Sequence, residues 1–183
     1  MKHNYEITLI ERDGVLYNRD TNKPHSGHSV SYHQNGQKSY EGTYKDGELD
    51  GLSTGWHENG QKKNEGTSKD GEKDGKWTYW FDNGQKSGEE TYKNLKLDGV
   101  YTSWYDNGQK EWEGTYKDGK VGGLYTVWYE NGQKERERTY KDGKQDGLTK
   151  RWYKNGQKRD EKTYKDGELI SEKEWNEDGS VKE

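Results

Sequence analysis

Cysteine is absent from this 183-residue chain, which removes disulfide staples and thiolate metal sites from consideration. Proline, phenylalanine and methionine occur once each, and only 23% of residues are hydrophobic. A globular core of ordinary thickness needs many fully buried Leu, Ile and Val, so a thin architecture is expected instead. No apolar run is long enough to serve as a signal peptide in residues 1–6 or to span a bilayer later, so integral membrane insertion is not expected. The chain reads as soluble and cytoplasmic, although one from which a leader had been removed would read identically. Neither sign of charge dominates: 31 Lys and Arg face 35 Asp and Glu, interspersed at short range, with a net charge of -4. Nucleic-acid affinity rests on clustered cations, so nucleic acid is not an expected partner.

With 36% charged residues and a mean hydropathy of -1.70, the composition resembles that of a disordered chain. Eight Trp and fifteen Tyr contradict that impression, because large rings bury much area each and disordered segments are poor in them.

The aromatics are periodic. Asn-Gly-Gln-Lys begins at Asn35, Asn59, Asn83, Asn107, Asn131 and Asn155, always 24 residues apart. In step with it run the column of Tyr32, Trp56, Trp80, Trp104, Trp128 and Trp152, and beside it His33, His57, Phe81, Tyr105, Tyr129 and Tyr153. Glu recurs from Glu41 to Glu161, Thr from Thr43 to Thr163, and Tyr-Lys-Asp-Gly follows, degraded at Ser68 and at Leu95. A second Asp-Gly closes most repeats, at Gly51, Gly75, Gly99 and Gly147.

Asn-Gly between alternating segments predicts a hairpin with a type I′ turn. Pairing outward from Asn59-Gly60 sets Trp56 opposite Lys63, Thr54 opposite Glu65 and Leu52 opposite Thr67. A second connection centred between Gly71 and Glu72 then pairs Lys69 with Asp74 and Ser68 with Gly75, without a register slip. One face should carry the Trp column, Leu52, Val100, Leu124 and Leu148, with the Thr and Glu columns. The other should carry Tyr101, Tyr105, Tyr125, Tyr129, Tyr153 and the column Tyr44, Tyr116, Tyr140, Tyr164, beside Gly42, Gly66 and Gly114. The expected fold is all-β: an elongated single-layer antiparallel meander of six tandem 24-residue β-hairpin repeats over residues 31–170, with terminal caps at 1–30 and 171–183.

Aromatic and glycine-rich hairpins of this period resemble the MORN repeat. Trp-Tyr-x-Asn-Gly-Gln-Lys at residues 104–110, then Thr-Tyr-Lys-Asp-Gly at 115–119, is similar to the bacterial MORN-variant repeats of the YwqK-type antitoxin family, as is the lead-in at 11–17 and 23–27. The resemblance implies a non-catalytic protein grouped with antitoxin or immunity proteins.

No residue constellation contradicts this. Every polar residue of note is present about six times, whereas catalysis needs one preorganised constellation, so no catalytic residue and no cofactor is expected. His25, His28 and His33 lack the partners of a metal site, and Asp46 to Gly51 lacks the alternating ligands of a calcium loop, so no metal is expected either. The columns in which the repeats disagree are more informative. One reads Tyr40, Asn64, Gly88, Trp112, Arg136, Asp160 and another Gly55, Tyr79, Ser103, Val127, Arg151, both on the Tyr face. A scaffold that keeps its framework and varies one face acquires specificity there. The expected partner-binding residues are Tyr79, Tyr105, Trp112, Tyr129, Arg136 and Arg151, and the expected partner is a protein such as a cognate toxin. The competing readings are a scaffold or membrane-associated adaptor, and a cell-wall carbohydrate or choline binder caged by aromatic rings.

Overall fold

A computed structural model describes residues 9–182. Residues 1–8 of the expected N-terminal cap, and Glu183 of the expected C-terminal one, lie outside the described residues. Every regular element described is a β-strand. The chain divides after Trp77 into two compact units.

The first unit holds β1 (Leu9–Arg12), β2 (Val15–Asn18) and β3 (Lys23–Pro24), which form a three-stranded sheet of their own. It continues through β4 (Gly27–Tyr32), β5 (Lys38–Lys45), β6 (Glu48–Trp56), β7 (Lys62–Lys69) and the greater part of β8 (Glu72–Trp80). The second holds β9 (Lys86–Lys93), β10 (Lys96–Leu97), β11 (Gly99–Trp104), β12 (Lys110–Lys117), β13 (Lys120–Trp128), β14 (Lys134–Lys141), β15 (Lys144–Trp152), β16 (Lys158–Lys165) and β17 (Glu168–Glu174). From β4 onward the strand order in the sheet is the chain order, antiparallel throughout, with β10 a short side pairing of β9. This is the all-β antiparallel meander that the repeat predicts. Pairing with β5 already begins at Gly27, and β17 reaches Glu174.

The two kinds of turn exchange the roles expected of them. In the Asn-Gly loops only the glycine has positive φ, as at Gly36 (84°), and Gly36 N donates to His33 O at 2.9 Å. That is a type I turn closed by a left-handed glycine, a three-residue loop with a bulge, and not a type I′ turn. The type I′ turn sits at Asp-Gly, where both residues have positive φ: 50° and 88° at Asp46-Gly47, 49° and 79° at Asp70-Gly71.

Both corrections move the register. The bulge between Gly55 and Trp56 puts Trp56 opposite Lys62 rather than Lys63, while Thr54 still faces Glu65 and Leu52 faces Thr67. The Asp70-Gly71 turn is centred on those two residues, not after Gly71, so the slip-free pairing of Lys69 with Asp74 does not hold. The equivalent hairpin shows the pattern: Lys45 faces Glu48 and Tyr44 faces Leu49, then the register shifts so that Gly42 faces Ser53. Gly51, at φ 128°, absorbs that shift, which explains why a second Asp-Gly closes most repeats.

Where the motif is degraded the turn geometry persists. Asn94 and Leu95 adopt φ of 50° and 65°, and Leu95 is a poor occupant of the left-handed region. Replacing Leu95 by Gly should stabilise the chain by about 1 kcal/mol, raising the melting temperature by roughly 2–4 °C. A melt that is unchanged or lower would contradict this account of the turn.

The packing lies on the Tyr side. Trp77 is the one buried hydrophobic residue among those described, and the other buried residues include Ser53, Ser68, Glu90, Ser103, Thr149 and Asp160. Trp77 lies across Gly66, where a Cβ would collide with the indole, and its Nε1–H donates to Thr67 O at 2.8 Å. In the second unit Tyr125 lies across Gly114 in the same way, whereas Tyr79 meets Gly88 at ordinary contact distance. The opposite face is the wetter one, with Leu52 59%, Val100 51% and Leu124 54% exposed.

Candidate binding face

On the wetter face each repeat builds the same polar cluster. Lys Nζ of the Asn-Gly-Gln-Lys tetrad pairs with the Glu three residues on, at 2.8 Å for Lys38–Glu41, 2.6 Å for Lys86–Glu89 and 3.0 Å for Lys158–Glu161. The same ammonium groups sit over indole rings of the following repeat, Lys38 5.4 Å from Trp56, Lys86 6.0 Å from Trp104 and Lys110 5.6 Å from Trp128. These are exposed pairs, weakened by solvent and salt, and they occupy the Trp faces that a quaternary ammonium ligand would need.

Tyr105 and Tyr129 stand just past the ends of β11 and β13, at the start of the Asn-Gly loops. Their hydroxyls donate to Trp128 O and Trp152 O, each at 2.8 Å, and Tyr153 does the same to Trp175 O at 3.0 Å. Beside them the Asn side chains bond the next loop, as from Asn107 Nδ2 to Glu130 O at 2.9 Å and from Asn131 Nδ2 to Lys154 O at 3.2 Å. Asn Oδ1 accepts from the Gln N–H two residues on, at 2.9 Å for Asn107 and 3.0 Å for Asn131. Burial pushes the Tyr105 and Tyr129 hydroxyls above their ordinary range. Both residues therefore tie loop to loop.

The other four expected residues share one face. Strand pairing sets Ser103 opposite Trp112, Trp112 opposite Val127, Val127 opposite Arg136, Arg136 opposite Arg151 and Arg151 opposite Asp160. Trp112 is held between Tyr101, 4.0 Å away by ring centroids, and Tyr125 at 5.6 Å. Arg151 Nε donates to the Asp160 carboxylate at 2.8 Å, and Asp160 is 1% exposed. Tyr79 donates to the buried Glu90, and burial first, then that bond, drives its hydroxyl well above the usual range. Arg136 Nη2 reaches only Glu135, at 3.2 Å. Tyr79 is thus engaged by Glu90, Arg151 by Asp160 and Trp112 by its flanking rings, leaving Arg136 with the least internal compensation of the four.

Six successive segments, residues 26–46, 49–70, 73–94, 97–118, 122–142 and 145–166, match the family described as the MORN repeat variant. The chain belongs to this family. No curated protein matches the chain. Each matched MORN segment carries one Asn-Gly loop and the two strands it joins. Trp112 lies in the fourth MORN repeat, Val127, Arg136 and Arg138 in the fifth, and Arg151 and Asp160 in the sixth. Among the described residues no helix is long and apolar enough to cross a membrane, and no three His, Cys, Asp or Glu side chains are grouped to hold a metal. His25 Nε2 shares a hydrogen bond of 3.0 Å with Ser29 Oγ, and His33 Nε2 one of 2.9 Å with Trp56 O.

Sequence reasoning passed over Arg138 and Thr149 as neighbours of the row, and it placed Asp160 in a variable column without naming it as the partner of Arg151. One signal was available: Arg138 stands in a column that reads Gly42, Gly66, Glu90, Gly114, Arg138, Lys162, and glycine there is what seats a ring. Where the fifth MORN repeat has Arg138, its partner on β15 is the small Thr149, while its partner on β13 is Tyr125.

Proposed function

We propose that this MORN repeat protein is a non-catalytic binding module that sequesters a protein partner on the Tyr face, in the manner of an antitoxin or immunity protein. The observation that carries the reading is the gathering of the columns that differ between repeats into one row, Ser103, Trp112, Val127, Arg136 and Arg151. Arg and aromatic residues are the side chains most often found at binding hot spots. The antitoxin component rests on the likeness of residues 104–110 and 115–119 to YwqK-type repeats. The Lys-covered indoles of the opposite face favour this reading over a choline cage.

The test is retention of a partner from the native host, identification of that partner, and titration of the purified pair. Arg136→Ala should weaken the complex by about 2 kcal/mol while its melting temperature stays near that of the parent. Trp112→Ala should weaken binding and also lower stability by about 1 kcal/mol, since it removes two ring contacts. The partner, expressed alone in the host, should arrest growth, and co-expression of this chain should relieve the arrest. A partner that binds Arg136→Ala as tightly as the parent excludes the Tyr face, and one that leaves growth unaffected excludes the antitoxin role.

A further inference from the structure

Beside the row just described, β12, β13 and β14 form an open pocket of about 280 Å³ lined by Tyr116, Val121, Tyr125, Val127, Arg136, Arg138 and Tyr140. Its wall combines the valine side chains and tyrosine rings with polar groups, the tyrosine hydroxyls and two guanidinium groups. Neither is neutralised from within the cavity, which has no carboxylate among its lining residues. Arg138 Nη1 donates to Tyr140 Oη at 3.3 Å, and Arg136 Nη2 to Glu135 at 3.2 Å. Neighbouring cations are already matched: Arg151 by Asp160 at 2.8 Å and Lys162 by Glu172 at 2.6 Å.

Three buried side-chain atoms among the described residues lack a hydrogen-bond partner: Arg136 Nε, Arg138 Nε and Thr149 Oγ1. All three fall at adjacent positions of this face, since Arg136 pairs with Arg151 and Arg138 with Thr149. A buried donor left unsatisfied is costly, and arginine forks are matched in geometry by planar carboxylates. At about 280 Å³ the pocket lies at the lower edge of the roughly 300–1,000 Å³ range of small-molecule sites, and its open mouth admits a side chain from a partner.

We propose that this cavity is an anion pocket that takes a carboxylate with an apolar body, supplied by an acidic side chain of the protein partner. The pocket deepens the binding-module reading and rests on it for the source of the carboxylate. Arg136 and Arg138 line the pocket with their guanidinium groups, whose terminal N–H donors face the oxygens, while Val121, Val127 and the Tyr116 and Tyr125 rings cover the carbon skeleton. The chain carries net negative charge, so the attraction is local to the pocket rather than a long-range field.

The experiment uses the full chain and follows the arginine Nε–H resonances in proton–nitrogen correlation spectra. Phenylacetate, inorganic phosphate or sodium chloride is added at matched ionic strength. Phenylacetate should move the Arg136 and Arg138 resonances saturably, with millimolar affinity, and phosphate and chloride should not saturate. Arg138→Gly restores the residue of three other repeats, and Arg136→Lys keeps the charge without the fork. Each should weaken phenylacetate binding about tenfold. The pocket is overturned if phenylacetate does not saturate, if phosphate binds as tightly, or if both variants bind like the parent. Should Arg138→Gly fail to fold, Arg136→Lys decides alone. Loss of phenylacetate binding with the protein partner still retained removes the pocket and leaves the module. Saturable phenylacetate binding with no protein partner found overturns the proposed source and leaves the anion site.

Discussion

Trp77→Ala is expected to be the most damaging single substitution in the first unit, at about 3–5 kcal/mol measured by urea denaturation. The reason is the scarcity of alternatives: Trp77, 7% exposed, is the sole buried hydrophobic residue among those described. Its ring occupies the space that Gly66 leaves open, and its indole N–H satisfies Thr67 O at 2.8 Å. Alanine would empty that space and remove that hydrogen bond. Against a typical total of about 5–15 kcal/mol, such a loss approaches unfolding. Gly66→Ala attacks the same contact from the other side, since its Cβ would collide with the indole, and should cost about 1–3 kcal/mol through overpacking. The two changes address one packing unit, so their combination should cost less than the sum. A Trp77→Ala midpoint within experimental error of the parent would show that the ring is not what holds this unit.

Arg151→Ala should cost about 3 kcal/mol in the second unit, because it leaves the Asp160 carboxylate, 1% exposed, without its main partner. Arg159 Nε, 3.7 Å away, compensates only in part, which keeps the figure at the lower end for a broken buried pair. Asp160→Asn should cost less, since a neutral amide is easier to bury than a lone carboxylate. The double change Arg151→Ala with Asp160→Ala should recover most of the loss, because both charges leave together. Equal effects for Arg151→Ala and Asp160→Asn would contradict the buried-charge argument.

The meander was legible because alternation of rings and polar residues survives six copies, and strand pairing transmits that alternation from one repeat to the next. Thr54 opposite Glu65 and Leu52 opposite Thr67 came directly from it. The turn types were not legible, since Asn-Gly and Asp-Gly are both compatible with type I′ geometry. Which one takes a two-residue loop is decided by where the ladder closes. Once Asp46-Gly47 makes the tight turn, the register must be repaired at Gly51, a role that no local rule assigns to that glycine.

The candidate site was legible in outline only. The variable columns marked Trp112, Arg136 and Arg151, but their neighbours across the strands decide what each is free to do. Arg151 is engaged by Asp160 and Tyr79 by Glu90, and neither pairing can be seen along the chain. Tyr105 and Tyr129 could be placed along the chain, but their hydroxyl bonds to the backbone of the next repeat could not, because those carbonyls lie 23 residues on. Arg138 was missed because a departure from glycine reads as drift until the ring that glycine seats elsewhere is found missing.

The loop contacts bear on how such a gene can change length. Within the second unit each rung is donated by one copy and accepted by backbone of the next, as from Asn83 to Asp106 O at 3.0 Å and from Asn107 to Glu130 O at 2.9 Å. The acceptor is a main-chain carbonyl, so it is indifferent to the sequence of the copy that supplies it. An in-frame duplication of one period adds a rung that finds its acceptor at once, and an in-frame loss removes one without stranding its neighbours. The last rung, from Asn155 to Glu177 O at 3.1 Å, is accepted instead by the divergent loop around Asn176 to Gly179. In-frame recombination can therefore lengthen or shorten the array at any rung, since even this divergent loop accepts through a main-chain carbonyl.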